Sequence, residues 1–201
     1  MTKAAGRPPL SEAEIQEFRT KVSKHAMSIY REDGFDGVSM RRLSKSVGCA
    51  PTTLYAHFAG KTEILMLLWA EVLSEMEGHV RESLKNLENR TEPTGMLAAA
   101  SRAFVSYWTD HPDHFRLVFL SNNVARSDVS NFIRTGQVGS GFQMFRDLVR
   151  EIEPDSMDVE VRTETLVAGL IGIVLCRNTI LDYPWPTESQ MIRQLLSGII
   201  T

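Results

Sequence analysis

Between Gly37 and Thr62 the side chains able to donate hydrogen bonds to a phosphate or a base edge crowd together. They are Arg41, Arg42, Lys45, Thr52, Thr53, Tyr55, His57 and Lys61. The stretch reads GVSMRRLSKSVGCAPTTLYAHFAGKT and holds four Lys or Arg and no Asp or Glu. Guanidinium and ammonium groups neutralise phosphate charge, and short hydroxyl side chains meet phosphates or base edges at close range. Nucleic-acid recognition is the chemistry such a set performs.

A second cluster, Asp110-His111-Pro112-Asp113-His114, is the one run of adjacent potential metal ligands. Neighbouring His and Asp suit zinc or a hydrolase centre. A structural role explains them better: Pro112 takes the first helical position, Asp113 complements the positive helix end, and His111 makes the turn. No catalytic residue, metal or cofactor is assigned. The sequence carries no Gly-rich phosphate loop, nucleophile elbow or His-Glu-x-x-His pattern, so an enzyme is not expected. Cys49 and Cys176 lie 127 positions apart and form neither a disulfide framework nor a metal knuckle.

Charge separates the chain into a head and a body. Residues 1–60 carry nine Lys or Arg against six acids, whereas the remaining 141 residues carry 13 against 19. A basic head on an acidic body suggests a polyanionic partner for the head alone. At 201 residues and 43% hydrophobic content the chain can bury a substantial core. It has no apolar run long enough for a membrane span and no secretory signal at its start. The expectation is a soluble, cytoplasmic protein without a membrane partner.

The elements that must position the head are helices. Ser11 and Glu14 form a capping box, with Leu10 and Ile15 as its hydrophobic staple. Ile15, Phe18, Val22, Ala26 and Ile29 follow helical spacing until Gly34. Ser39 caps a second helix that Gly48 ends, and Val38 is placed to staple against Leu43. Pro51 opens a third helix that closes at Phe58. Further helices are predicted near Gly60–Met76, Thr94–Thr109, Pro112–Leu120, Val129–Ile152, Val159–Leu181 and Thr187–Ile200. A polar loop is expected at Ser121–Ser127, and Gly136, Gly139 and Gly141 weaken the helix that follows it. The chain is therefore read as all-α: a flexible basic arm at 1–10, a DNA-binding domain at 11–60, and a larger helical domain at 61–201. Two short helices joined by a tight turn are the sequence form of a helix-turn-helix, whose second helix enters the major groove.

The segment SMRRLSKSVGCAPTTLYAHFAGKTEIL resembles the DNA-binding domain of the tetracycline-repressor (TetR) family. IYREDGFDGV resembles that family's end of helix 1 and following loop, so the likeness covers about residues 11–66. HPDHFRLVF is similar to a segment frequent in the family's regulatory domains. The resemblance implies phosphate contacts by Ser39, Thr53, Tyr55, His57 and Lys61. It implies base-edge contacts by Arg41, Pro51, Thr52 and Ala56, and a minor-groove contact by Arg7. Arg42 joins Arg41 on the second helix. One position departs from the pattern: Ala50 stands where a Ser or Thr commonly caps the third helix, a loss of about 1 kcal/mol.

In the body, Val159–Leu181 is the most apolar segment; the resemblance implies that it is the pairing surface of a homodimer, the alternative being that it is simply this domain's buried central helix. Leu166, Gly169, Gly172, Ile173 and Cys176, with Ala168 beside them, allow close approach. Met191, Leu195 and Ile199 of the last helix complete a four-helix bundle across a two-fold axis. Trp69, Phe104, Tyr107, Trp108, Phe115, Phe119, Met144 and Phe145 form an aromatic and Met-rich set. As a group they suit a pocket for an apolar or aromatic small-molecule inducer; singly, each also suits plain core. The sequence thus predicts a dimeric, one-component transcriptional regulator that binds a palindromic double-stranded DNA operator, a repressor released by a small ligand. The alternative is a ligand-independent architectural or cell-cycle DNA-binding protein on the same fold.

Overall fold

A computed structural model describes residues 11–85, 87, 92–120, 139–154 and 156–200. Among them the regular elements are nine helices: α1 (Glu12–Gly37), α2 (Met40–Val47), α3 (Pro51–His57), α4 (Lys61–Leu84), α5 (Pro93–Asp110), α6 (Pro112–Phe119), α7 (Gly139–Ile152), α8 (Val159–Thr179) and α9 (Glu188–Ile199). The all-α reading holds among the described residues. None of these helices is long and apolar enough to cross a membrane.

Local chemistry sets most boundaries. Ser11 and Glu14 cap α1 reciprocally, and Thr187 with Gln190 does the same for α9. α1 is broken at Gly34, whose φ of 66° lies in the left-handed region, and a further turn runs on to Gly37. The apolar run predicted to continue to Leu181 ends as a helix at Thr179. Leu10, the Ser121–Ser127 loop, Gly136 and the start of the helix predicted from Val129 lie outside the described residues.

The chain divides into two compact units, Met1–Leu68 and Trp69–Thr201. In the first, α2 packs on α1 and α3 packs on α2. Val22, Ala26, Leu43, Val47, Leu54 and Phe58 are buried there. In the second, α5 is the central element, packing against α6, α7, α8 and α9. Its core holds Leu97, Phe104 and Trp108 of α5 with Phe115, Phe145, Leu166, Leu170, Val174 and Ile192. Burying a side chain of this size stabilises a fold by roughly 1.5–3 kcal/mol, so each unit has a substantial apolar core of its own.

Candidate nucleic-acid interface

α1 is the platform on which the short helices rest. Val22, Ala26 and Ile29 of α1, Leu43 and Val47 of α2 and Leu54 of α3 are all buried, and α2 packs on α1 and on α3. His25 Nδ1 lies 2.8 Å from Ser46 Oγ and ties α1 to α2. Arg19 donates to the His57 carbonyl at 3.3 Å, and its guanidinium sits 4.7 Å from the centre of the Phe58 ring. These two contacts hold the C-terminal end of α3 against α1.

The turn between α2 and α3 follows from its residues. Ser39 Oγ accepts the Arg42 backbone N–H at 3.2 Å and opens α2. Gly48 ends it at φ 79°, ψ 36°, a conformation that disfavours any residue with a Cβ. Pro51 then takes the first position of α3, and Ala50 supplies no side-chain cap. The Ala50 carbonyl accepts from Thr53 N at 3.0 Å and Leu54 N at 3.3 Å.

Leu54 is the buried anchor of α3, whereas Pro51, Thr52, Thr53, Tyr55 and Ala56 are exposed. Tyr55 is 57% exposed. Ser39 and Arg41 are also exposed. These residues form the accessible part of the predicted DNA-contact set. Arg7 lies outside the described residues.

Besides Ser39, whose hydroxyl caps α2, three members of the set have intramolecular side-chain partners. The Arg42 guanidinium pairs with Asp33 and lies 3.1 Å from Glu32, which clamps α2 to the end of α1. Lys61 Nζ sits 3.9 Å from the centre of the Phe35 ring, a cation–π contact. The His57 ring packs on Phe18 at 4.8 Å. Arg19, Phe18, Phe35, Glu32 and Asp33 therefore support the interface, and sequence reading missed all five. The only signal for the acids was their position beside Gly34, directly before the basic helix.

In the second unit the predicted inducer set is tightly assembled. Trp108 stacks edge-on with Tyr107 at 5.1 Å, Phe119 at 5.1 Å, Phe104 at 6.1 Å and Phe115 at 6.1 Å. Phe104 meets Phe145 at 5.8 Å, and Trp69 Nε1 donates to the Leu117 carbonyl at 2.8 Å. Met144 stands apart on a surface cleft with Met96 and Leu148. Trp108 Nε1 is buried without a hydrogen-bond partner among the described residues.

The Asp110–His114 run is built into the same core. His111 Nδ1 lies 2.9 Å from the Tyr107 carbonyl, and buried His114 presents Nδ1 to the Tyr107 hydroxyl at 2.9 Å. Among the described residues no three His, Cys, Asp or Glu side chains are grouped to hold a metal ion.

Of the predicted pairing residues, Leu166, Ile173 and Ile199 are buried within the single chain. Gly169 faces Leu195 of the same chain, while Gly172 faces open space. Cys176 and Met191 are half-buried. A cleft of about 520 Å³ lies between α8 and α9, lined by Gly169, Ile173, Met191 and Leu195 among others.

α2, the Gly48 turn and α3, carried on α1, make the first unit a helix-turn-helix DNA-binding domain. Residues 24–66 match the sequence model of the bacterial regulatory proteins, tetR family. The transcriptional regulator UidR of Escherichia coli K12 is 29% identical over 76 residues, 38% of this chain and 39% of UidR. The chain thus matches less than half the length of that relative. The transcriptional activator FasR of Mycolicibacterium smegmatis is 22% identical over 158 residues, 78% of this chain and 68% of FasR. The whole fold is similar to that of the TetR family transcriptional regulator PfmR from Thermus thermophilus. That likeness has a TM-score of 0.59 and 18% identity, and it covers 89% of this chain and 96% of PfmR.

Proposed function

We propose that this protein is a homodimeric, cytoplasmic one-component transcriptional regulator, not an enzyme, and that it represses from a palindromic operator until a small ligand releases it. The observation that carries the reading is the exposed face of α3. Pro51, Thr52, Thr53, Tyr55 and Ala56 stand clear of the core on a helix anchored by buried Leu54 and held at its C-terminal end by Arg19, which is how a recognition helix must be presented. One such helix touches few bases, so two chains on half-sites about one helical turn apart supply the rest of the affinity. The α8–α9 surface, with open Gly172 and half-buried Met191, supports pairing there.

Ligand release rests on the second unit. The indole N–H of Trp108, which has no partner among the described residues and lies amid Tyr107, Phe115 and Phe119, suits an apolar or aromatic ligand with a hydrogen-bond acceptor. Release then follows if the ligand favours the dimer state whose heads do not span successive major grooves. A second reading, a ligand-independent architectural DNA-binding protein, is favoured by how closely those rings pack on one another.

Fluorescence anisotropy of the whole protein on fragments flanking its own gene, with random DNA as control, tests the function. Saturable binding of two chains to one palindromic fragment supports the regulator. Equal weak binding to every fragment supports the architectural reading. Absence of binding at low salt overturns both. A reporter gene behind the bound fragment reads repression against activation, the latter being the role of FasR.

A further inference from the structure

The geometry points to a second DNA-backbone contact on α1, made by Lys21 and Lys24, which extends the footprint of each domain beyond its recognition helix. The inference rests on the DNA-binding reading above and deepens it.

A cleft of about 990 Å³ runs between α1 and α3. One wall is Thr53 and His57, the two ends of the recognition helix that the family likeness ranks as phosphate contacts. The other wall includes Thr20, Lys21 and Lys24. Both lysines are exposed, and neither has an ion-pair partner among the described residues. Two unpaired ammonium groups facing the same cleft as Thr53 suit a phosphodiester strand passing between the helices.

Position along α1 sharpens the assignment. Lys21, Lys24, Ser28 and Arg31 recur at three- and four-residue spacing and are all exposed, so they form one strip along the helix. The acids of the cleft, Glu14 and Glu17, lie one to two turns nearer the N-terminus. Glu14 is engaged in the capping box with Ser11. The basic part of the wall is therefore the part nearest α2, where His25 meets Ser46. A backbone leaving the major groove meets cations there and carboxylates further on. The predicted partner is the sugar-phosphate backbone flanking the half-site, contacted without regard to sequence.

The test compares wild type, Lys21→Gln/Lys24→Gln and Lys21→Arg/Lys24→Arg by anisotropy on operator and random DNA across a salt series. Each phosphate contact contributes about 0.9 to the slope of log K against log salt, so the Gln variant is expected to be shallower by about 2 per bound chain. Between 50 and 200 mM salt it loses about tenfold less affinity per chain than wild type does. Binding at fixed salt weakens on both DNAs alike, and the Arg variant keeps the wild-type slope. An unchanged slope in the Gln variant, with wild type still binding, overturns the α1 contact and leaves the regulator standing. A loss on operator alone also overturns it, because that is base readout or misplacement of α3. Wild type that binds no DNA removes both readings together.

Discussion

The Tyr107 hydroxyl lies 2.9 Å from Nδ1 of His114 and 3.2 Å from the Val72 carbonyl, in the core of the second unit. Burial, then the Glu75 carboxylate, hold the Tyr107 phenol well above the ordinary tyrosine value. A folded-state pKa raised above the unfolded one contributes stability in full below the unfolded value, about 10. That contribution is lost as pH rises through this value towards the higher folded one, by up to about 1.4 kcal/mol per pH unit. All three tryptophans belong to this unit, so urea unfolding followed by their fluorescence reports on it. Between pH 9 and 11 wild type should lose stability more steeply than Tyr107→Phe, and equal slopes refute the assignment. At neutral pH the same variant should be weaker by about 1–3 kcal/mol, because the buried hydrogen bond between the Tyr107 hydroxyl and His114 Nδ1 is lost.

Arg41 and Arg42 are neighbours with different expected roles. Arg42→Ala removes the pairs to Glu32 and Asp33, all partly exposed, and should lower stability by no more than about 1 kcal/mol. A double-mutant cycle with Asp33→Ala should recover most of that loss as coupling. Arg41→Ala should leave stability unchanged and relax the preference at one base pair by roughly 1–3 kcal/mol. Equal losses on operator and random DNA for Arg41→Ala would remove it from base readout.

Tyr55→Phe deletes only a hydroxyl on the exposed face of α3. Binding should weaken to the same extent on every sequence, as loss of a phosphate contact requires. Discrimination between bases after this change would make Tyr55 a reader of sequence instead.

Gly169 and Gly172 separate fold from pairing. A Cβ at Gly169 would come within 2.7 Å of both Leu195 methyl carbons, whereas one at Gly172 meets nothing within 4 Å. Gly169→Ala should force the half-buried Leu195 side chain to move, which offsets the helix-propensity gain and leaves this variant less stable than Gly172→Ala. Gly172→Ala should keep or raise monomer stability through helix propensity. If α8 is the pairing surface, Gly172→Ala shifts sedimentation towards monomer. An unchanged dimer places the interface elsewhere.

Ala50→Ser restores a hydroxyl where α3 has no side-chain cap. Thermal melting of the variant should show about 1 kcal/mol of added stability. No gain would mean that Pro51 and the Ala50 carbonyl bonds already satisfy the turn.

Capping boxes, the left-handed glycine and the N1 proline act within three or four residues, so Ser11–Glu14, Ser39, Gly48 and Pro51 were legible from sequence and the structure bears them out. Helical spacing likewise marked Leu43, Val47 and Leu54 as the buried side of the short helices. The all-α fold and the helix-turn-helix followed from these local signals. What each cation faces did not. Arg42 meets Asp33, Lys61 meets Phe35, and His57 meets Phe18, through chain reversals that no short window encodes. The same holds for Gly169 and Gly172, three residues apart on one helix, where only the packing of α9 fills the space beside one and leaves the other open. Sequence by itself determined which residues can bind, cap or turn, because those properties belong to the side chain and its immediate neighbours. Tertiary structure alone decided which of them remain available to a partner, because availability depends on what the rest of the fold brings against them.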